Sequence, residues 1–250
     1  MGARSRASQS RASQSRASRG QRLSGVGTAA ALLATGLIVT AGAASAGAAT
    51  SAQAQAKKHL LVQSDMPKGW KPEKGTGGSG GGSGLTGGSG VAACIGVPAA
   101  VVNDNSPGES SPYYENKDGS LEVQDNVTVF PSTAYATREL EAMASSKTPG
   151  CLQSWINGAG KSSFESAAGK GVTLGDVTVS ALDPVVYGTG VKGVVANLPI
   201  TYQGVTVNGQ LISVNFNKGR LGQSITYTSY LGGFPNSLAA HLVSVARGRL

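Results

Sequence analysis

The sequence predicts an α+β fold, an antiparallel sheet of about five strands with helices packed on one face. Three observations predict it. Four runs rich in Val, Ile, Thr and Tyr, at 172–182, 191–202, 205–216 and 220–230, follow one another closely. Short turns punctuate them, Gln203-Gly204 and Asn217-Lys218-Gly219, and connections that short require antiparallel neighbours in a meander. A further strand is written at Leu121, Val123, Val127 and Val129, apolar at alternate positions with polar residues between, which is the pattern of a half-buried strand. Helical patterns flank these strands on both sides.

The elements follow in chain order. Residues 6–18 repeat Arg-Ala-Ser-Gln-Ser, a polar low-complexity stretch with nothing to bury, expected to be disordered. From Ala29 to Val39 the chain turns apolar, and small residues then lead to Ala44-Ser45-Ala46. A basic region, an apolar region and an A-x-A site are the three parts of a secretory signal, so 1–46 is assigned as a signal peptide cleaved after Ala46. The rival is an uncleaved anchor, because 23–56 carry no charge, but the strongly apolar part is shorter than the ~20 residues a span needs. Either way the arginines stay inside and the remainder lies outside; the mature protein is expected to be secreted or held at the cell wall. No stable membrane insertion is expected after cleavage. No Cys lies near the site, so no lipid anchor is expected.

Residues 47–90 are read as a flexible tail, a short element ending in the Pro67-Lys68-Gly69-Trp70 turn, and a Gly/Ser linker. The linker, 75–90, is Gly, Ser and Thr apart from Leu85 and is expected to be random coil. Residues 91–250 form the main body. After the strand ending at Phe130-Pro131, Ser132 or Thr133 caps a helix running to about Ser146, and Thr148-Pro149-Gly150 breaks the chain. A short helix through Cys151 and Trp155 follows. The chain closes on a helix that Pro235 starts, with Leu238, Leu242 and Val245 on one face.

Charge excludes one class of function. The net charge of +8 falls to about +2 once the six arginines before residue 47 are set aside, because that leader holds no acid. The basic excess belongs to the leader, and only 5% of residues are aromatic, so no nucleic-acid partner is expected. The two cysteines, Cys94 and Cys151, most simply form one disulfide in an exported chain. Such a bridge, closing nearly sixty residues, is worth roughly 4 kcal/mol. Zinc needs more ligands, and the two histidines, His59 and His241, stand far from both cysteines in sequence. No metal and no cofactor are expected.

Several motifs tempt. Gly75-Thr76-Gly77-Gly78-Ser79-Gly80 has the spacing of a dinucleotide loop and Gly77 to Gly81 that of a hydrolase elbow, but both lie in the linker without strand and helix around them. Gly158-Ala159-Gly160-Lys161-Ser162 resembles the end of a P-loop, yet Trp155 stands where the first Gly belongs. A Ser-His-Asp triad would need His241 or His59 as base, with no nucleophile motif in support. No catalytic residue is assigned. Trp70 and Trp155 are expected in the core, with lining of an apolar cleft as the alternative.

Taken together, the Pro67-x-Gly69-Trp70 turn, Cys94 before a polar loop, Val129-Phe130-Pro131-Ser132 before a helix, Cys151 beyond it and a closing strand pair around Gly219-Arg220-Leu221 resemble the PknH-like extracytoplasmic sensor domains of actinobacteria over 91–250. The resemblance implies a sheet-and-helix domain with a cleft for an extracellular ligand and no chemistry of its own. Two departures limit it: that family usually carries two disulfides, and this chain has no kinase domain. The PsbP/Mog1-like secreted lipoproteins share the layout but need the lipid-anchoring Cys. The expected function is a secreted, non-enzymatic, sensor-like binding domain for a small or cell-envelope ligand. A protein-interaction or cell-wall accessory module is the alternative, and an exported hydrolase the third reading. No ligand-binding residue follows from the sequence. Native mass spectrometry of protein purified from culture medium should give the mass of residues 47–250 less two hydrogens; the full-length mass would sink the cleavage assignment.

Overall fold

The computed structural model describes residues 46–74, 76–79, 88–102, 106–168 and 171–250. The assigned signal peptide, Ala46 apart, and linker residues 75 and 80–87 lie outside the described residues. Helix α1 (Ala46–Lys57) comes first, followed by a 3-10 turn (Gln63–Asp65), strands β1 (Lys71–Pro72) and β2 (Gly78–Ser79), and helices α2 (Gly88–Ile95) and α3 (Ala99–Val102). Strands β3 (Gly108–Ser110), β4 (Tyr114–Glu115) and β5 (Leu121–Val129) lead into α4 (Thr133–Ala144) and α5 (Thr148–Trp155). A π turn (Ile156–Gly160) joins α5 to α6 (Lys161–Ala168). Then follow β6 (Val172–Leu174), β7 (Thr178–Ala181), α7 (Pro184–Tyr187), β8 (Lys192–Tyr202), β9 (Val205–Lys218), β10 (Leu221–Ser229) and α8 (Asn236–Arg249).

All ten described strands join one antiparallel sheet, ordered β1-β4-β5-β10-β9-β8-β6, with β3 also on β5, β2 on β3 and β7 on β8. The meander has the predicted hairpins: β8 and β9 turn through Gln203-Gly204, where both residues take positive φ, and β9 and β10 through Gly219. The predicted count of about five strands is too low. The additional strands are two to four residues long, too short for a period-2 pattern to register in sequence.

The second correction concerns layers. Successive residues of a strand face opposite sides, and helices cover both. On one face Ala239, Leu242, Val243 and Ala246 of α8 pack with Ile212, Val214, Ile225 and Tyr227. On the other, Met143 of α4, Leu152 of α5 and Val91 of α2 pack with Val194, while Phe164 of α6 packs with Ala196, Leu198 and Ile200. Val194 and Val195 are both apolar, so β8 has two faces to bury, and one helical layer cannot cover them.

The third correction is local. Residues 46–57 are a helix, not a flexible tail, and Ala56 is fully buried against Leu60, Val127, Val129 and Leu221. Alanine is the strongest helix former, and an Ala/Gln stretch is polar enough to resemble a tail. The following residues add Leu61 and Met66 to the main core, so the N-terminal piece belongs to the same body. Cys94 of α2 and Cys151 of α5 are joined by a disulfide, S–S 2.00 Å, which holds two of the covering helices together.

Leu242 fills the α8 interface with no exposed surface, whereas its neighbour His241 is exposed. Leu242→Ala should therefore cost about 3 kcal/mol in urea unfolding, and His241→Ala less than about 0.5 kcal/mol.

Candidate functional site

Strand β5 is central, and both of its faces are buried. Its apolar phase is broken by Asp125, which lies in register with Val123 and Val127 and is completely buried. This carboxylate receives the chain that follows α1. The Leu61 N–H donates to Asp125 Oδ2 at 2.7 Å and Gln223 Nε2 donates to the same oxygen at 2.8 Å. Asp125 Oδ1 makes no hydrogen bond of ordinary geometry. Arg249, at the end of α8, closes over the segment: its Nη1 donates to the Leu60 carbonyl at 2.6 Å and its Nη2 to both oxygens of Asp65. His59 Nδ1 donates back to the Arg249 carbonyl, and the Tyr114 hydroxyl donates to the Leu61 carbonyl at 3.3 Å. Residues 46–66 thus form a strap lashed across the sheet.

Between this strap and the β2–β3 edge lies a cleft of about 290 Å³. Leu60, Leu61, Pro112 and Tyr114 supply apolar walls; Thr76, Ser110 and Ser111 supply hydroxyls, and Lys57 and Glu109 one charge of each sign. Gly77 is part of the wall, and here the linker is docked rather than coiled. The Thr76 hydroxyl donates to the Glu73 carbonyl and accepts the Tyr113 N–H. Gly77 takes φ +91° with its Cα hard against the Ser111–Pro112 backbone; a Cβ would sit 2.7 Å from Pro112 N. Only glycine fits there.

The opposite face of β5, β10 and β9 is polar across three registers. Glu122 pairs with Thr228, Gln124 with Thr226 and onward to Ser213, and Asn126 with Ser224 and onward to Asn215. Buried sheet faces are normally apolar, and each buried polar group must find a partner. Asn215 donates to Ser213, Ser110 donates to Asn126, Gln124 Nε2 donates to the Ser111 carbonyl, and the Tyr230 hydroxyl donates to Glu122 at 2.7 Å. Gln124 Oε1 has none. Helix α4 lies over the Thr128–Ser224–Asn215 end, leaving a gap of about 20 Å³, room for about one water.

Burial pushes both carboxyls up. Glu122 rises from 4.5 to about 7, chiefly by desolvation, against the pull of the Tyr230 hydrogen bond. Asp125 rises from 3.8 to about 7 for the same main reason, against the bonds from Leu61 and Gln223 and the nearby Arg249. Being an odd-numbered and an even-numbered residue of one strand, they face opposite sides of the sheet and do not form a catalytic pair.

The tempting motifs disperse. Gly75 and Gly80 lie outside the described residues, as does Gly81, and Ser79 sits in β2. Residues 158–162 occupy the π turn and the start of α6, with no strand leading in, and the Trp155 ring covers Gly160. His241 is exposed, and His59 is committed to the Arg249 carbonyl. Trp70 packs edge-on to Phe234 at 6.5 Å and Trp155 packs with the α2–α5 cluster. Asp125 and Glu122 went unread in the sequence, although an acid in the apolar phase of a strand is a signal of its own.

No family model and no curated protein matches the chain. Among solved structures, it is similar to the crystal structure of the extracellular domain of PknH from Mycobacterium tuberculosis, with 13% identity and a TM-score of 0.43. The match covers 79% of this chain and 97% of that one. Among the described residues no helix is long and apolar enough to cross a membrane.

The carboxyl shifts fix a pH dependence. Folded-state values above the unfolded ones mean that the native protein holds more protons between about pH 4 and about pH 7, so stability is highest on the acid side and is lost as pH rises through that window. The melting temperature should fall by at least ~5 °C from pH 5 to pH 8. Glu122→Gln, which still accepts from Tyr230, should remove part of that fall; an unchanged profile in the variant would exclude Glu122 as a source.

Proposed function

We propose that the chain is an exported, non-enzymatic, sensor-like domain that binds a small amphiphilic ligand of the cell envelope in the strap cleft. The cleft itself carries the reading. At about 290 Å³ it has the size of the smallest ligand sites, and its mixture of apolar wall, hydroxyls and one charge of each sign matches a ligand with both apolar and polar parts. Such a composition suits a peptide or glycan fragment better than a purely apolar chain.

Two features support the extracytoplasmic and non-enzymatic parts. A disulfide between covering helices persists in an oxidising compartment. The two carboxyls with raised values stand on opposite faces of β5, His59 is committed to the Arg249 carbonyl and His241 is exposed, so no acid–base pair or triad is seen among the described residues.

The test is calorimetry and thermal shift against muropeptides, envelope glycans and lipids. One class should bind, and Val62→Trp, placing a large ring at the cleft wall, should weaken it at least tenfold. Leu231→Trp, an exposed site remote in sequence, should leave affinity unchanged. Equal affinity in the Val62 variant would move the site elsewhere, and silence from every class would count against ligand binding.

A further inference from the structure

We propose that Asp125 is a proton-operated latch for the strap: its protonated carboxyl holds residues 46–66 on the sheet, and its ionisation loosens them. The latch stands independently of any ligand, although the strap forms one wall of the cleft.

The geometry is specific. Asp125 is completely buried beneath the strap, and the Leu61 N–H reaches its Oδ2 directly, while Gln223 bridges from that oxygen to the His59 carbonyl at 3.4 Å. Oδ1 makes no hydrogen bond of ordinary geometry, and the adjacent Asn126 N–H gives the charged carboxyl the weakest of its stabilising contacts. A buried carboxylate with one such oxygen is poorly compensated when charged, and a proton on that oxygen removes the charge while leaving Oδ2 free to accept. Lifting the strap would hydrate the carboxylate. The charged form therefore favours the lifted strap and the neutral form the docked one.

Other charged and titratable groups face the same place. Arg249 comes from α8, but its fork is spent on Asp65 and the Leu60 carbonyl. Tyr114 from β4 donates to the Leu61 carbonyl, and Tyr227 from β10 donates to the Ala239 carbonyl at 3.0 Å; burial pushes both phenols up, so both stay neutral. His59 donates to the Arg249 carbonyl. Arg249 favours the charged carboxyl through space, but its ion pair is with Asp65, and none of these groups pairs directly with Asp125.

The sign follows from linkage. A lifted strap returns Asp125 to its ordinary 3.8, whereas the docked strap holds it at about 7. Opening therefore releases a proton, and its equilibrium rises by up to about tenfold per pH unit between those values, then levels off. The apolar anchors, Leu61 and Met66, oppose opening at every pH, so the change is read as local opening rather than loss of the fold.

Hydrogen exchange measured at pH 5 and pH 8, corrected for the intrinsic pH dependence of exchange, reads this directly. Protection of amides 59–66 should fall at least about tenfold between the two pH values, while staying below that of α8 and β9 at both. Asp125→Asn should abolish the difference, whereas Glu122→Gln and His59→Gln should keep it. A strap whose protection tracks the rest of the protein, a response that survives in Asp125→Asn, or one abolished by either control would overturn the latch. Should Asp125→Asn fail to fold, the carboxyl ¹³C shift of Asp125 in the unaltered protein decides. A midpoint close to 7 coinciding with loss of strap protection supports the latch, and one close to 4 overturns it.

Discussion

The rest of the structure depends on the burial of both faces of β5 and β10. Every residue of β10 is buried, and on β5 only Leu121 and Asn126 are partly open. An antiparallel pair normally gives one face to the core and the other to water. Here the apolar face meets α8 and the strap, and the polar face must find its hydrogen bonds inside the protein. Each unmade bond on that face would cost about 1–3 kcal/mol. This need ties Ser110 to Asn126, Ser111 to Gln124 and Tyr230 to Glu122. The irregular stretch 106–120 is shaped by those bonds.

The same constraint explains the covering layers. Two helices alone, α4 and α8, leave part of each face uncovered. The strap closes one side and α2 with α5 the other, the disulfide setting the spacing of that second pair. Gly222 shows how tight the closure is: a Cβ there would sit 2.3 Å from the Phe130 ring, which in turn stacks on Tyr135 at 5.8 Å. The end of the polar face is sealed by an aromatic lid resting on bare backbone.

The long strands and helices were legible because each carries a strong local period. The meander, the Ser132 cap, whose hydroxyl accepts the Tyr135 N–H, and the closing helix stand where the pattern placed them. What was not legible depends on partners distant in sequence. The alternation in β5 marks one face as polar, and polarity alone reads as solvent, since nothing local says that a cover will be built from 88–168. Residues 46–57 read as tail because an Ala/Gln stretch has almost no amphipathic pattern; small alanines, not bulky side chains, bury it. The candidate cleft was invisible for the same reason. Its walls come from three stretches, 57–62, 76–77 and 109–114, and the glycine spacings that include 76–77 match other chemistries rather than mark a cleft. Asp125 alone left a trace, a charge in the apolar phase.

The order in which these parts can form sets where the molecule is loosest. The β8–β9–β10 meander is built from hairpins with short turns, the cheapest long contacts to close. Adding β5 and α8 completes a core that includes Tyr227 and its bond to Ala239. The strap has no such local path. Its polar anchors join residues 59–65 to Asp125, Gln223 and Arg249, up to 190 positions away, so they exist only when both the sheet and the last turn of α8 are in place. An element that needs the finished fold before it can dock is also the one that can leave without undoing it. Leu61 and Met66 tie it by apolar contact, but its polar anchors meet at one buried carboxyl and one arginine. The strap is therefore less costly to move than the sheet or α8, and it walls the cleft.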